Sequence, residues 1–285
     1  MKVIECERVN KRFGKKTVFE DLNLSFEENK IYALLGRNGA GKTTLLKLIA
    51  TQFLPNEGTI KINGESAYEN EKVLKKLCFM TENLLGYDGY KVSKIFKIAK
   101  RFYENWDEGF KDHLCKLYQL DVEAKLGSLS KGQQTAVSLV IGMASRCPIV
   151  MFDEIYAGMD PVARAQFYDI LAAEWETNPR TFVISTHLIE EMSQMFTDVV
   201  IIDKGKILID ESVEDVHQKS WKISGAREII DALDIGKVLS RKYIGSVGEA
   251  SVYGEISDSE REKMQAEGLE VDSLTLQELF LALTV

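Results

Sequence analysis

Short, nearly unbroken apolar runs punctuate this chain: Ile31-Tyr32-Ala33-Leu34-Leu35, Leu77-Cys78-Phe79-Met80, Ile149-Val150-Met151-Phe152 and Thr181-Phe182-Val183-Ile184-Ser185. Runs of this length without polar alternation predict strands covered on both faces, as in a parallel sheet. Between them the apolar positions take helical spacing. Leu45, Leu46, Leu48 and Ile49 form one such set. From about Val92 to Leu120 a second set recurs at Ile95, Phe96, Ile98, Ala99, Phe102, Tyr103, Phe110, Leu114 and Leu117, predicting a helical insert with a core-facing stripe. A long helix opens after Ser128-Leu129-Ser130-Lys131-Gly132-Gln133-Gln134 and runs through Ala144. Another spans Pro161 to Trp175, with Asp160 as N-cap and Pro161 in the first helical position.

The two ends follow a different pattern. The first thirty residues read as strand, turn, strand: Val3, Ile4 and Val9, then Lys11 to Lys15, then Val18, Leu22, Leu24 and Phe26 in near-alternation. Gly58 to Ile62 is a short strand closed by the Asn63-Gly64 turn, and Leu77 to Met80 ends at Thr81-Glu82-Asn83. A hairpin joins Val199–Asp203 to Lys206–Asp210 through Lys204-Gly205. Beyond about Val216 the pattern restarts. A strand is predicted at Trp221-Lys222-Ile223, a helix from Ala226 to Leu233, and strands between Val238 and Ile256. A helix starts at Ser257 to Glu260, and an amphipathic helix covers Leu274 to Leu283. The expected organisation is an α/β domain over 1–215, with a helical part at about 84–145, followed by a small α+β domain over 216–285.

Composition narrows the class only a little. No apolar stretch is long enough to span a bilayer; the nearest, Ala136 to Phe152, is broken by Arg146 and Pro148, and Met1 to Glu7 lacks the apolar region of a signal peptide. Cys6, Cys78, Cys115 and Cys147 are scattered, with no CxxC and no histidine at ligand spacing, which points to reduced thiols and a cytoplasmic setting. The net charge of −8 argues against a nucleic-acid platform, most of all after Trp221, where seven basic residues face twelve acidic ones.

The chemistry concentrates at Gly36-Arg37-Asn38-Gly39-Ala40-Gly41-Lys42-Thr43-Thr44, a G-x-x-x-x-G-K-T stretch between a buried strand and a helix. Glycines let such a loop turn its N–H groups inward, where with the helix N-terminus they cradle phosphate oxygens. Lys42 then reaches the β- and γ-phosphates, and the Thr43 hydroxyl holds Mg²⁺. No N-K-x-D guanine motif accompanies it.

The order of the remaining motifs resembles that of ABC-type ATPases over roughly residues 1–215: the loop, a helical insert, Leu129-Ser130-Lys131-Gly132-Gln133, Asp153-Glu154 at the end of an apolar run, and His187. That resemblance implies a P-loop NTPase (RecA-like) core with an antiparallel β subdomain and a helical subdomain, ATP with Mg²⁺ as the bound species, and hydrolysis of the γ-phosphate. It implies that Gly36, Asn38, Gly39, Ala40, Gly41, Lys42, Thr43 and Thr44 hold the phosphates and that Phe13 stacks on the adenine. Asp153 serves the Mg²⁺ shell with Thr43, Glu154 polarises the attacking water, and His187 contacts the γ-phosphate. Glu82 stands where the family usually has a Gln that ligates Mg²⁺, Lys131 replaces the more usual Gly, and Ile155-Tyr156 replaces Pro-Thr. Ser130, Gly132 and Gln133, with Asp160 of the Gly158-Met159-Asp160 loop, complete an ATP site on the opposite protomer.

A chain holding half of each composite site implies a dimer, with a second copy or a related ATPase. With no membrane span of its own, it reaches the inner face of the membrane only through a separate transmembrane permease subunit. Phe102-Tyr103-Glu104-Asn105-Trp106-Asp107 resembles the F-Y-x-N-W-D stretch of Ytr-type and phenol-soluble-modulin exporters, and Thr275 to Thr284 resembles the terminal helix of antibiotic and peptide exporter ATPases. Export of amphipathic or antimicrobial peptides is the reading this favours; an importer ATPase and a soluble ATPase acting as a regulator or mechanical switch stand as alternatives.

Overall fold

The computed structural model describes residues 1–285 except Asn83, Leu85, Ala157 and Val285, so the strand end expected at Asn83 and one residue of the helical part, Leu85, lie outside the described residues. The apolar runs form the centre of a six-stranded sheet in the order Lys206–Ser212, Asp198–Asp203, Ile31–Leu35, Thr181–Ser185, Ile149–Asp153, Leu77–Thr81. All neighbours pair parallel except the terminal hairpin. Successive side chains leave a strand on opposite faces, and both faces are covered. Ala33, Leu35, Val150 and Phe152 join a cluster with Phe96, Leu114, Val137 and Phe167 of the helices. Tyr32, Leu34, Ile149 and Met151 join a second cluster with Leu45, Leu46, Ile4, Phe19 and Phe26. That second cluster is closed by an antiparallel sheet in the order Lys16–Glu27, Lys2–Phe13, Glu57–Ile62, Glu65–Ser66. The expected α/β architecture with an antiparallel β layer is therefore present.

Register decides where chemistry can gather. Thr81 pairs with Asp153, and Asp153 with Ser185, while Leu34 pairs with Ser185. The carboxyl ends of four parallel strands thus lie side by side, the edge at which open α/β sheets bind ligands.

Local polar contacts shift several boundaries. The run expected from Val92 to Leu120 divides into helices Val92–Phe102 and Glu108–Leu117. The second is capped by Asp107, which accepts from the Phe110 N–H (2.8 Å) and also binds Arg146 (2.8 Å). Within the F-Y-E-N-W-D stretch, therefore, Asp107 is a helix cap, and Phe102 is exposed. The terminal helix begins at Leu276 rather than Leu274, because Thr275 and Glu278 hydrogen-bond reciprocally, Thr275 N–H to Glu278 Oε2 (2.8 Å) and Glu278 N–H to Thr275 Oγ1 (3.1 Å). The helix expected over Ala226 to Leu233 is limited to Arg227–Asp231, and Pro161–Thr177 runs one residue pair past Trp175. Short elements at Ile189–Met192, Val213–Lys219 and Glu270–Ser273 carry too little periodicity to be read from sequence.

The C-terminal strands form a separate antiparallel sheet, ordered Lys237–Ile244, Val247–Tyr253, Ser220–Ala226, Glu270–Ser273, over a small cluster that includes Ile223, Ile230, Val252 and Leu269. The terminal helix Leu276–Thr284 leaves that cluster: Leu276 and Leu279 bury in the larger one, with Val199, Ile201 and Met192. At its end the Thr284 carbonyl accepts a hydrogen bond from Arg37 Nη1 (3.0 Å), a residue of the phosphate loop. Leu279→Ala is expected to cost about 2–5 kcal/mol, as for a fully buried leucine, read as a lower urea midpoint with an unchanged slope; an unshifted midpoint would mean that the helix is not docked. All four cysteines are buried and free, and burial pushes the Cys6 and Cys78 thiols up to about 12 and about 11, so they stay protonated and unreactive near neutrality.

Candidate nucleotide site

The strand Ile31–Leu35 is buried throughout and delivers the chain to Gly36; eight residues of helix, Lys42–Ile49, carry it away. Gly41, the residue before the helix, has φ of 117°, and a Cβ there would come within 2.7 Å of the Phe19 ring, so both backbone and space require glycine. The helix has no acidic residue in its first turn, which leaves its positive end and free N–H groups facing the loop.

A cleft of 610 Å³ opens over this loop, lined by Arg37, Asn38, Gly39, Gly41, Lys42, Thr43, Thr44, Glu154 and His187. Phe13 sits on its wall, half exposed, with its ring edge-on to Phe53 and Lys11 Nζ 4.7 Å from its centroid. Gly36 and Ala40 are not in the lining. Gly36 contributes its carbonyl to Lys42 Nζ (2.6 Å), and Ala40 packs into the core. Lys16, which no motif marks, also lines the cleft and adds its charge to those of Arg37 and Lys42. Its one signal in sequence is its place just after the Phe13-Gly14-Lys15 turn.

Lys42 is buried, with Nζ 3.9 Å from Glu154 Oε1. Burial lowers the basicity of its ammonium, and the neighbouring Glu154 and Asp153 carboxylates work in the opposite direction. Asp153 ends its strand as a buried residue whose Oδ1 has no hydrogen-bond partner among the described residues. An acceptor of that kind calls for a donor or a cation. Glu154 takes the left-handed conformation, φ 54°, and its N–H donates to the Ser185 carbonyl (3.2 Å). Its Oε2 lies 2.6 Å from His187 Nδ1, and the His187 side chain is 62% exposed, open to the cleft. A non-glycine residue is uncommon in the left-handed region, and at a strand end beside the phosphate loop it points to a functional constraint.

The second group of motif residues gathers around a different cleft of 640 Å³, lined by Ser130, Gly132, Gln133, Gly158, Met159 and Asp160 among others. Ser130 caps helix Lys131–Ala144 through a reciprocal pair with Gln133, and Asp160 caps Pro161–Thr177 by accepting from the Val162 and Ala163 N–H groups (2.9 Å each). Gly132 lies so close to the Gly158 carbonyl that a Cβ would meet it at 2.7 Å, which locks the two loops together. The linings of the two clefts share no residue. Glu82 follows the strand residue that pairs with Asp153, and its carboxylate lies 3.6 Å from Lys131 Nζ. The two charges that depart from the usual family pattern therefore face each other within one chain.

A strand, a glycine loop and a helix holding a buried lysine, with carboxylates at the ends of neighbouring parallel strands, define a P-loop nucleotide-binding protein. Comparison with known proteins agrees. The family model described as "ABC transporter" matches residues 19–157. An uncharacterised ABC transporter ATP-binding protein of Methanocaldococcus jannaschii, MJ1023, is 30% identical over 84% of this chain and 86% of its own length. The ABC transporter ATP-binding protein YtrB of Bacillus subtilis is 26% identical over 88% and 85%, and the bacitracin transport ATP-binding protein BcrA of Enterococcus faecalis 26% over 85% and 79%. Among solved structures, an ATP-binding subunit of an ABC transporter superposes with a TM-score of 0.67 at 21% identity, covering 75% of this chain and 92% of that one. A dimeric post-hydrolysis ATP-binding cassette, MJ0796 with ADP and Pi, gives 0.63 at 19% over 74% and 98%. The chain belongs to the ABC transporter ATP-binding proteins and is an ATPase. No helix among the described residues is long and apolar enough to cross a membrane.

Proposed function

We propose that two ATPase units close head to tail on two ATP molecules, each site combining the phosphate loop of one with the Ser130-to-Gln133 segment and Asp160 of the other, and that this cycle drives export through a separate transmembrane subunit. The observation that carries the reading is the separation of the motif residues into two clefts with no lining residue in common. Two half-sites in one chain are completed by a partner.

In this mechanism the loop N–H groups and Lys42 hold the β- and γ-phosphates, and Phe13 offers its face to the base. Ser130, with the positive end of helix Lys131–Ala144 behind it, caps the γ-phosphate of the partner's ATP. Glu154 accepts a proton from the attacking water, and His187 orients that water against the phosphate. Thr43 and Asp153 fit Mg²⁺, the first through its hydroxyl, the second through its unpartnered Oδ1. Glu82 is a third candidate, shared with Lys131. When bound, the ion neutralises charge between the phosphates.

Residues 1–215 serve as the ATPase domain and 216–285 as an accessory one that holds the terminal helix against the ATPase core. The cargo we favour is an amphipathic or antimicrobial peptide, carried outward from the cytoplasmic face; its support is the likeness to a bacitracin transport protein and the F-Y-E-N-W-D and terminal-helix resemblances. Purification of the tagged chain from membranes tests this. A co-purifying polytopic subunit, and ATPase activity in that complex raised severalfold by a cationic amphipathic peptide, are the expected results. Recovery only in a soluble complex, or stimulation that requires an external binding protein, would contradict it.

A further inference from the structure

Tyr156 sits directly behind the residues assigned to the γ-phosphate, and nothing in the nucleotide reading uses it. Its side chain is 1% exposed and does not line the nucleotide cleft, so it cannot touch substrate. Yet its hydroxyl oxygen lies 3.2 Å from Glu154 Oε2, 2.8 Å from the Ser185 carbonyl and 3.2 Å from the His187 N–H, which donates to it. The ring packs edge-on to the His187 imidazole at 5.8 Å between centroids. The same Ser185 carbonyl also accepts the Glu154 N–H at 3.2 Å.

These contacts make one buried oxygen a common anchor. A tyrosine hydroxyl has a single hydrogen and can accept in return. The acceptor side is engaged by the His187 backbone, which fixes where the loop after strand Thr181–Ser185 departs. The hydrogen has two acceptors within reach, the Ser185 carbonyl and the Glu154 carboxylate, and rotation about one bond moves it between them. Burial pushes the phenol far above its usual range, so it remains a donor at every working pH. A buried carboxylate-side donor that costs no reorganisation is how sites hold a base in its productive orientation.

We infer that Tyr156 is a positioning residue for hydrolysis, its hydroxyl holding the Glu154 carboxylate in place against the sheet. The inference rests on the assignment of Glu154 as the base.

The test is steady-state ATP hydrolysis by Tyr156→Phe, which keeps the buried ring and deletes only the hydroxyl. Rates are normalised to the fraction that binds a fluorescent ATP analogue, so that a folding defect is not counted as a catalytic one. The expected result is a fall in kcat of about tenfold, the effect of one lost orienting hydrogen bond, with KM for ATP within about twofold of native. In a Glu154→Gln background the same substitution leaves the residual rate unchanged, because it acts through Glu154. A native kcat in Tyr156→Phe would reduce the residue to packing and overturn the inference. So would a rise in KM that matches the fall in kcat, or a further fall in the double variant. If Glu154→Gln itself hydrolyses ATP normally, the assignment of the base fails, which is a separate outcome read from a separate variant.

Discussion

Glu154→Gln is expected to bind ATP as the native chain does and to hydrolyse it at least about a hundredfold more slowly, the usual effect of removing a general base. The substitution is nearly isosteric, and the surroundings tolerate it. Tyr156 Oη can donate to the amide oxygen, and the backbone N–H keeps its bond to Ser185. What disappears is the capacity to take a proton. The affinity for ATP should hold or rise, because the carboxylate beside Lys42 repels the γ-phosphate whereas the amide does not. Single-turnover hydrolysis with nucleotide binding measured in parallel checks both halves. Near-native turnover would remove Glu154 from the mechanism and return attention to His187.

Lys42→Ala produces the opposite dissociation, failing in binding before chemistry is reached. The ammonium is buried, its basicity lowered by that burial, and its Nζ is held by the Gly36 carbonyl at 2.6 Å, aimed across its own loop. Losing charge-assisted hydrogen bonds to phosphate, worth about 1.5–3 kcal/mol each, should weaken ATP binding about ten- to a hundredfold. Stability should fall as well, since the Gly36 carbonyl and the Asp153 and Glu154 carboxylates lose the cation beside them. A nucleotide titration and a thermal melt on the same variant separate these effects. Unchanged ATP affinity would show that the loop N–H groups suffice.

Much of this architecture is written in short-range patterns. Four of the parallel strands stand out because burial on both faces demands uninterrupted apolar runs, and Asp153 and Glu154 are placed at a strand end by the four apolar residues before them. The loop from Gly36 to Thr44 is legible for the same reason: its spacing and its flanks are local. What sequence hides is long-range. Tyr156 looks like an ordinary departure from a motif until the fold brings Ser185 and His187 to its hydroxyl. Lys16 carries no motif and enters the cleft only through the strand pairing that sets it opposite Phe13. Glu82 and Lys131 read as two unrelated substitutions, and they meet across the space between a strand end and a helix start. The terminal helix reads as part of an appended domain, whereas Leu276 and Leu279 return to the ATPase core and Thr284 reaches Arg37. Amphipathic spacing says that a helix has an apolar face, not which cluster that face will join.

Sedimentation of Glu154→Gln with and without Mg-ATP decides whether the ATP site is composite. A monomer is expected without nucleotide and a dimer with it, and a return to monomer when Ser130→Glu is added, since that substitution places a negative charge against the partner's γ-phosphate while leaving the chain's own phosphate loop able to bind ATP. A chain that binds ATP yet stays monomeric, or a dimer indifferent to Ser130→Glu, would contradict a composite site.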